Sequence, residues 1–213
     1  MPPTEQRPKV FCIGFQKTGT TSLHAALTML GYRTAAVVGR KLTADQLRIK
    51  GARLCIDTMR DFDAAEDMPW PVFFRELDCA YPGSKFILTV REPGRWFQSI
   101  ENHFGDHTDE MQAFVYGRYT AAPKGNRSHY IDVLKTHEKT VLNYFASRPD
   151  DLLVMDLEAG DGWAALCTFL GVKIPPQTFP QKNRAADRQK LSYRMKKRVD
   201  LMMGRVPTPE RLL

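Results

Sequence analysis

VFCIGFQKTGTTSLHAAL, residues 10–27, is the stretch on which the fold of this chain turns. A buried-strand run, Val10 to Phe15, enters a glycine turn. The segment that leaves the turn carries Leu23, Leu27 and Leu30 at i, i+4 and i+7, with Gly31 where a helix C-terminal glycine belongs. Gly14, four residues, Gly19 and then Thr20-Thr21 at a helix start is the spacing of a phosphate-binding loop. Backbone N–H groups around Gly19 to Thr21 point into such a turn, and the helix N-terminus adds about half a positive charge. Thr20, Thr21 and Ser22 offer hydroxyls as well. A nucleoside-triphosphate loop needs a lysine directly after the second glycine, and a Mg²⁺-holding acid after another strand. Here Thr20 stands in the lysine's place, Lys17 is on the loop itself, and ILTVREP ends its strand in Arg91. The loop is either damaged, coincidental or built for another donor.

Outward from the loop, strand-like and helix-like segments alternate, which predicts an α/β fold with a mostly parallel sheet. TAAVV (34–38) reads as a second strand, and Thr43 with Gln46 forms a capping box that opens a short helix. DFDAAED (61–67) holds a short strand, and a helix is expected over 71–81. KFILTV (85–90) is the clearest strand, followed by a helix over 94–104. A loop at 120–128 precedes a long helix over 129–146, then a strand in DLLVMDL (151–157) and a helix in GDGWAALCTFLG (160–171). KIPPQTFPQKN (173–183), with three prolines, is irregular, and residues 185–213 read as a basic terminal helix and tail. With no repeat, low-complexity run or linker, residues 1–213 read as one domain with a flexible 1–8.

Thirty-one Lys and Arg against 24 Asp and Glu give a net charge of +7, which favours anionic partners. No arginine-rich run or DNA-reading helix accompanies it, so nucleic acid is not expected. MPPTEQRPK is not followed by an apolar stretch, and no apolar run approaches the ~20 residues that a bilayer span needs. Cys12, Cys55, Cys79 and Cys167 are far apart and read as isolated thiols of a reducing compartment, with no metal site. A cytoplasmic protein is the expectation.

QKTGTTSL (16–23) resembles the 5′-phosphosulfate loop of sulfotransferases that use 3′-phosphoadenylyl sulfate, PAPS. The second half of that family's signature is a strand ending in Arg with a Ser eight residues later, and this chain has Arg91 and Ser99. The likeness continues through DMPWPVFFRELDCAYPGSKFILTVREP (67–93) and GDGWAALCTFLGVKIP (160–175) to FPQKN (179–183). It is similar to a branch of small bacterial sulfotransferases. The resemblance implies a three-layer, nucleotide-kinase-like α/β sandwich, PAPS as sulfuryl donor, PAP (3′,5′-ADP) as product and no metal. A sulfuryl group carries less negative charge than a phosphoryl group, so a metal clamp is less necessary.

The resemblance also assigns roles. Lys17 would steady charge on the leaving oxygen, and Gly14, Thr18, Gly19, Thr20, Thr21 and Ser22 would cradle the 5′-phosphate. Arg91 and Ser99 would hold the 3′-phosphate, and Lys182, Asn183 and Arg184 would form a late loop over it. Where cytosolic sulfotransferases carry His-x-Pro with a basic histidine, this chain has Asp67-Met68-Pro69. Asp67 is therefore the candidate base, with Glu66 and His103 behind it, against the alternative that Asp67 caps a helix starting near Pro69. Arg95, His24 and Trp163 are expected to be structural or surface residues. The acceptor is open: a small molecule, carbohydrate or lipid bearing a hydroxyl or amine, with residues 104–127, including Tyr116 and Tyr119, as its wall. A homodimer is allowed. The rival functions are an ATP–Mg²⁺ kinase and a non-catalytic PAP- or polyanion-binding module.

Overall fold

The computed structural model of the chain describes residues 7–181, of which residues 7–180 lie in one compact unit. Strand β1 (Val10–Cys12) enters the glycine loop and helix α1 (Thr20–Met29) leaves it. Then come β2 (Thr34–Ala35), α2 (Ala44–Thr58), β3 (Ala64–Ala65), a 3-10 turn at Trp70–Phe73 running into α3 (Phe74–Ala80), and β4 (Lys85–Thr89). Helices α4 (Pro93–Phe104), α5 (Glu110–Tyr116) and α6 (Arg127–Phe145) precede β5 (Leu152–Met155) and α7 (Trp163–Leu170). The five strands pair in parallel in the order β2-β3-β1-β4-β5.

Strand alternation builds the three layers. Phe11 of β1 and Ile13 just beyond it, with Phe86 and Leu88 of β4, join a buried cluster with Cys55 of α2, Phe74 and Leu77 of α3, and Val141 and Phe145 of α6. Val10, Cys12 and Ile87, one residue out of phase, face a second cluster with Leu23 and Leu27 of α1 and Leu166 and Cys167 of α7. Helices on both faces are what an all-parallel sheet requires. Past the sheet's end, Phe15, Met68, Trp96, Phe97, Tyr116 and Tyr130 form a third cluster that seats α4, α5 and α6 around the glycine loop.

Several boundaries differ from the sequence reading. The Thr43–Gln46 capping box is present, but α2 is not short: it runs for 15 residues. Gly51 interrupts its helix-forming pattern, yet a Cβ there would lie 2.5 Å from the Phe73 ring, so the glycine admits that contact. The first strand stops at Cys12 rather than Phe15, because the chain leaves the ladder to form the loop. Helix α5 was not anticipated; its signal is a second capping box, Asp109 with Gln112. Among the described residues no helix is long and apolar enough to cross a membrane. The basic terminal segment expected over 185–213 lies outside the described residues.

Gly14 fixes how closely loop and sheet approach. A Cβ at this position would sit 2.0 Å from Thr89 Oγ1 and 2.4 Å from the Thr89 carbonyl oxygen, so β4 would have to move. Gly14→Ala is expected to destabilise the protein by about 3 kcal/mol or more, at the upper end of overpacking costs. That lowers the melting temperature by roughly 6–12 °C for a chain of this size, measurable by calorimetry.

Candidate functional site

In an open parallel sheet, ligands bind outside the carboxyl ends of the strands where the strand order reverses. Here that point lies between β1 and β4. The Gly14–Gly19 loop follows β1, Glu66 and Asp67 directly follow β3, Arg91 comes two residues after β4, and Glu158 lies on the loop after β5. Chain direction alone brings all of them to one edge.

The loop is held from below. Trp96 Nε1 donates to the Gln16 carbonyl at 2.9 Å, and Gln16 Nε2 donates to Tyr116 Oη at 2.9 Å. Thr18 Oγ1 donates to the Phe15 carbonyl at 2.6 Å and accepts from Thr89 Oγ1 at 2.6 Å, so its hydroxyl is engaged inside the protein. Burial pushes His137 down to about 4, which keeps the ring neutral. Its Nε2–H donates to the Ile13 carbonyl at 2.7 Å. Gly19 has φ 112°, and Leu157 packs where its Cβ would be. Helix α1 starts with no side-chain cap and no acidic residue in its first turn. Its positive end therefore meets no carboxylate from its own first turn.

Two non-glycine residues adopt positive φ among the described residues, Lys17 and Asp67, each at 70°. Such backbone costs of order 1–3 kcal/mol and clusters at functional sites. The Lys17 carbonyl accepts from Arg91 Nη1 at 3.1 Å, which joins the loop tip to the β4 terminus. Arg91 Nη2 meets Glu158 Oε1 at 2.5 Å, and Arg95 Nη1 reaches Glu158 Oε2 at 3.4 Å. Arg91 Nε is buried with no hydrogen-bond partner, so the guanidinium keeps one donor in reserve. Ser99 is half-buried on α4, and its hydroxyl makes no hydrogen bond among the described residues.

Two adjacent carboxylates complete the edge. Glu66 is 5% exposed; Oε1 lies 3.2 Å from His24 Nδ1, and Oε2 is without a partner. Burial, then the neighbouring Asp67 charge, push the Glu66 carboxyl up to about 7, against a smaller opposing pull from the Thr20 hydroxyl. Thr20 thus sets a hydroxyl beside a carboxylate where a triphosphate loop would set its lysine. Asp67 is half-buried and also raised by burial, opposed by its hydrogen bond from the Met68 N–H and by the charges of Arg40 and Lys17. It does not cap the following turn, which begins at Pro69 without a side-chain cap.

The structure brings Lys17, Thr20, Glu66, Asp67 and Arg91 to one edge of the sheet. Thr21 is exposed at the first turn of α1 and Ser22 is buried there. His103 is exposed at the end of α4, edge-on to Phe104. Trp163 is 8% exposed in the core, with Nε1 donating to the Gln177 carbonyl, as expected. His24, expected to be a structural or surface residue, contacts Glu66 from α1. Tyr116 is buried under the loop, whereas Tyr119 is 98% exposed. Lys182, Asn183 and Arg184 lie outside the described residues. Glu158 and Arg40 were not anticipated. The one available signal for Glu158 was its position after a parallel strand, where any loop residue is a site candidate. Among the described residues, no three His, Cys, Asp or Glu side chains group as metal ligands.

A family model described as a sulfotransferase domain matches residues 9–188 of the chain. The chain is also similar to Ava biosynthesis cluster protein M of Aspergillus versicolor, at 26% identity over 210 residues, covering 81% of this chain and 79% of that protein.

Proposed function

Because the chain belongs to the sulfotransferase domain family, we propose that it transfers a sulfuryl group from PAPS to an acceptor hydroxyl or amine and releases PAP. The observation that carries this reading is Arg91. It stands at the end of β4, bound to the phosphate loop through the Lys17 carbonyl, with Nε buried and unpartnered. A guanidinium fork suits a phosphate, and a 3′-phosphate is what separates PAPS from ATP. The glycine loop and the uncapped start of α1 suit the 5′-phosphate through Gly14, Gly19, Thr20, Thr21 and Ser22. Thr18 braces the loop, Ser99 offers its hydroxyl with Arg91, and Lys182, Asn183 and Arg184 are proposed to cover the nucleotide.

The donor supplies the sulfuryl group; the chain's residues do the rest. Lys17 sets an ammonium at the loop tip to neutralise charge that develops on the leaving side. Asp67, partly exposed and flanked by the charges of Lys17 and Arg40, receives the acceptor's proton. Glu66, buried behind it, holds a proton up to about pH 7 and so limits the negative charge beside Asp67.

Thermal unfolding with metal-free PAP, and separately with ATP plus Mg²⁺, tests the donor. PAP at 100 times its Kd is expected to add about 2.7 kcal/mol, a rise of roughly 5–10 °C. A rise with ATP–Mg²⁺ and none with PAP would replace the sulfuryl donor by a phosphoryl one. Glu158 gives a second, signed prediction. Its carboxylate occupies the Arg91 fork that the 3′-phosphate would use. Glu158→Gln is therefore expected to bind PAP about fivefold more tightly, the worth of a partly exposed ion pair. Calorimetric titration reads the sign, and weaker binding would make Glu158 a support for Arg91 rather than its competitor.

A further inference from the structure

The segment after β2 runs beside the two carboxylates. Strand β2 pairs with β3 in register, Thr34 with Ala64 and Ala35 with Ala65, and the Glu66 N–H donates to the Ala35 carbonyl. The next carbonyl, Ala36, accepts from Trp70 Nε1 at 2.7 Å, which ties the start of the segment after β2 to the turn that follows Asp67. A cavity of about 520 Å³ opens there, lined by Val37, Leu42 and Leu54 with Arg40, Lys41 and Lys50. Its volume falls within the ~300–1,000 Å³ of small-ligand pockets. No acidic side chain lines it.

The three cations differ from most other surface arginines among the described residues. Arg33, Arg48, Arg53, Arg60, Arg118 and Arg148 each pair with a carboxylate. Arg40, Lys41 and Lys50 make no ion pair, hydrogen bond or ring contact among the described residues, and all three converge on one cavity with an aliphatic floor. Arg40 also lies near enough to Asp67 for its charge to act on that carboxyl. An apolar floor with a cationic rim and no acidic lining residue selects a ligand with an apolar body and a negative group.

We infer that the acceptor is an amphiphilic hydroxyl compound that already carries an anionic group, a carboxylate, phosphate or sulfate, held by Arg40, Lys41 and Lys50 while its hydroxyl reaches Asp67. This rests on the reading of Asp67 as the proton acceptor, but the anionic pocket can be tested without turnover. The probes are 6-hydroxy-2-naphthoate and its methyl ester, which share a ring and hydroxyl and differ in charge. Each is titrated by fluorescence into the protein, with and without PAP. The acid is expected to bind about tenfold more tightly than the ester, about 1.4 kcal/mol. In Lys41→Gln/Lys50→Gln the difference is expected to shrink to about threefold or less, with ester and PAP affinity unchanged; Arg40 is left in place because it acts on Asp67. Equal binding of acid and ester, a preference that survives the double substitution, or no binding of the acid at about 1 mM would each overturn the inference. A thermal shift with PAP, run in parallel, separates the two readings. PAP binding without charge preference sinks the acceptor class alone. Charge preference without PAP binding sinks the donor and leaves the anionic pocket standing.

Discussion

Asp67→Asn is expected to lower turnover by about two to four orders of magnitude, the usual worth of a positioned general base, while PAP binds within about threefold of the parent. The substitution keeps the side chain's size and its acceptor for the Met68 N–H, so folding and the donor site are spared. Glu66→Gln is expected to do something different. Glu66 sits at about 7 in the folded chain against an ordinary 4.5, so between these values the folded state holds a proton that the unfolded chain has lost. Stability then falls as pH rises from about 4.5 to about 7, by about 3 kcal/mol in all, and is lowest above pH 7. Glu66→Gln removes this dependence, and thermal unfolding between pH 4 and pH 8 should show a flatter profile. Its turnover should stay within about tenfold, since Glu66 is nearly inaccessible to an acceptor. If Glu66→Gln abolishes turnover and Asp67→Asn does not, the base is Glu66 and Asp67 is its charged neighbour.

The fold was legible in the sequence because two strong patterns agreed. The strand–glycine loop–helix at 10–27 and the run KFILTV followed by Arg91 name the two central strands, and alternation along the chain sets the rest in parallel. What escaped were features created by distance in sequence. Gly51 weakens the apparent helix around it, and only the Phe73 ring across the interface explains why a glycine stands there. Thr18 belongs to the loop motif, yet its hydroxyl turns inward because Thr89, 71 residues on, offers it a partner. Likewise, the contact of His24 with Glu66 depends on which face of α1 meets the end of β3, beyond what local periodicity specifies. Spacing singled out Arg91 and the glycine loop, whereas the ion pair that Arg91 makes with Glu158 belongs to tertiary structure.

Lys17→Met is the substitution that isolates the lysine's charge. Methionine keeps a Cβ, so the backbone stays in its φ 70° conformation under the same constraint, and the carbonyl that accepts from Arg91 is unchanged. Loss of the ammonium is expected to reduce turnover by about two to three orders of magnitude, comparable to removing one preorganised donor at a developing charge. PAP affinity should fall by less than about tenfold, since an interaction that strengthens only as charge develops lowers the barrier more than it tightens the ground state. Lys17→Gly provides the backbone control. It removes the same charge but relieves the positive-φ constraint, and stability should rise by about 1 kcal/mol while turnover falls as in Lys17→Met. Single-turnover rates with saturating donor, set beside PAP titrations, decide the matter. If affinity and rate fall together by the same factor in Lys17→Met, the lysine only binds the nucleotide. If neither falls, the loop's positive potential comes from its backbone and the start of α1, and the lysine's place three residues ahead of Thr20 has no part in the chemistry.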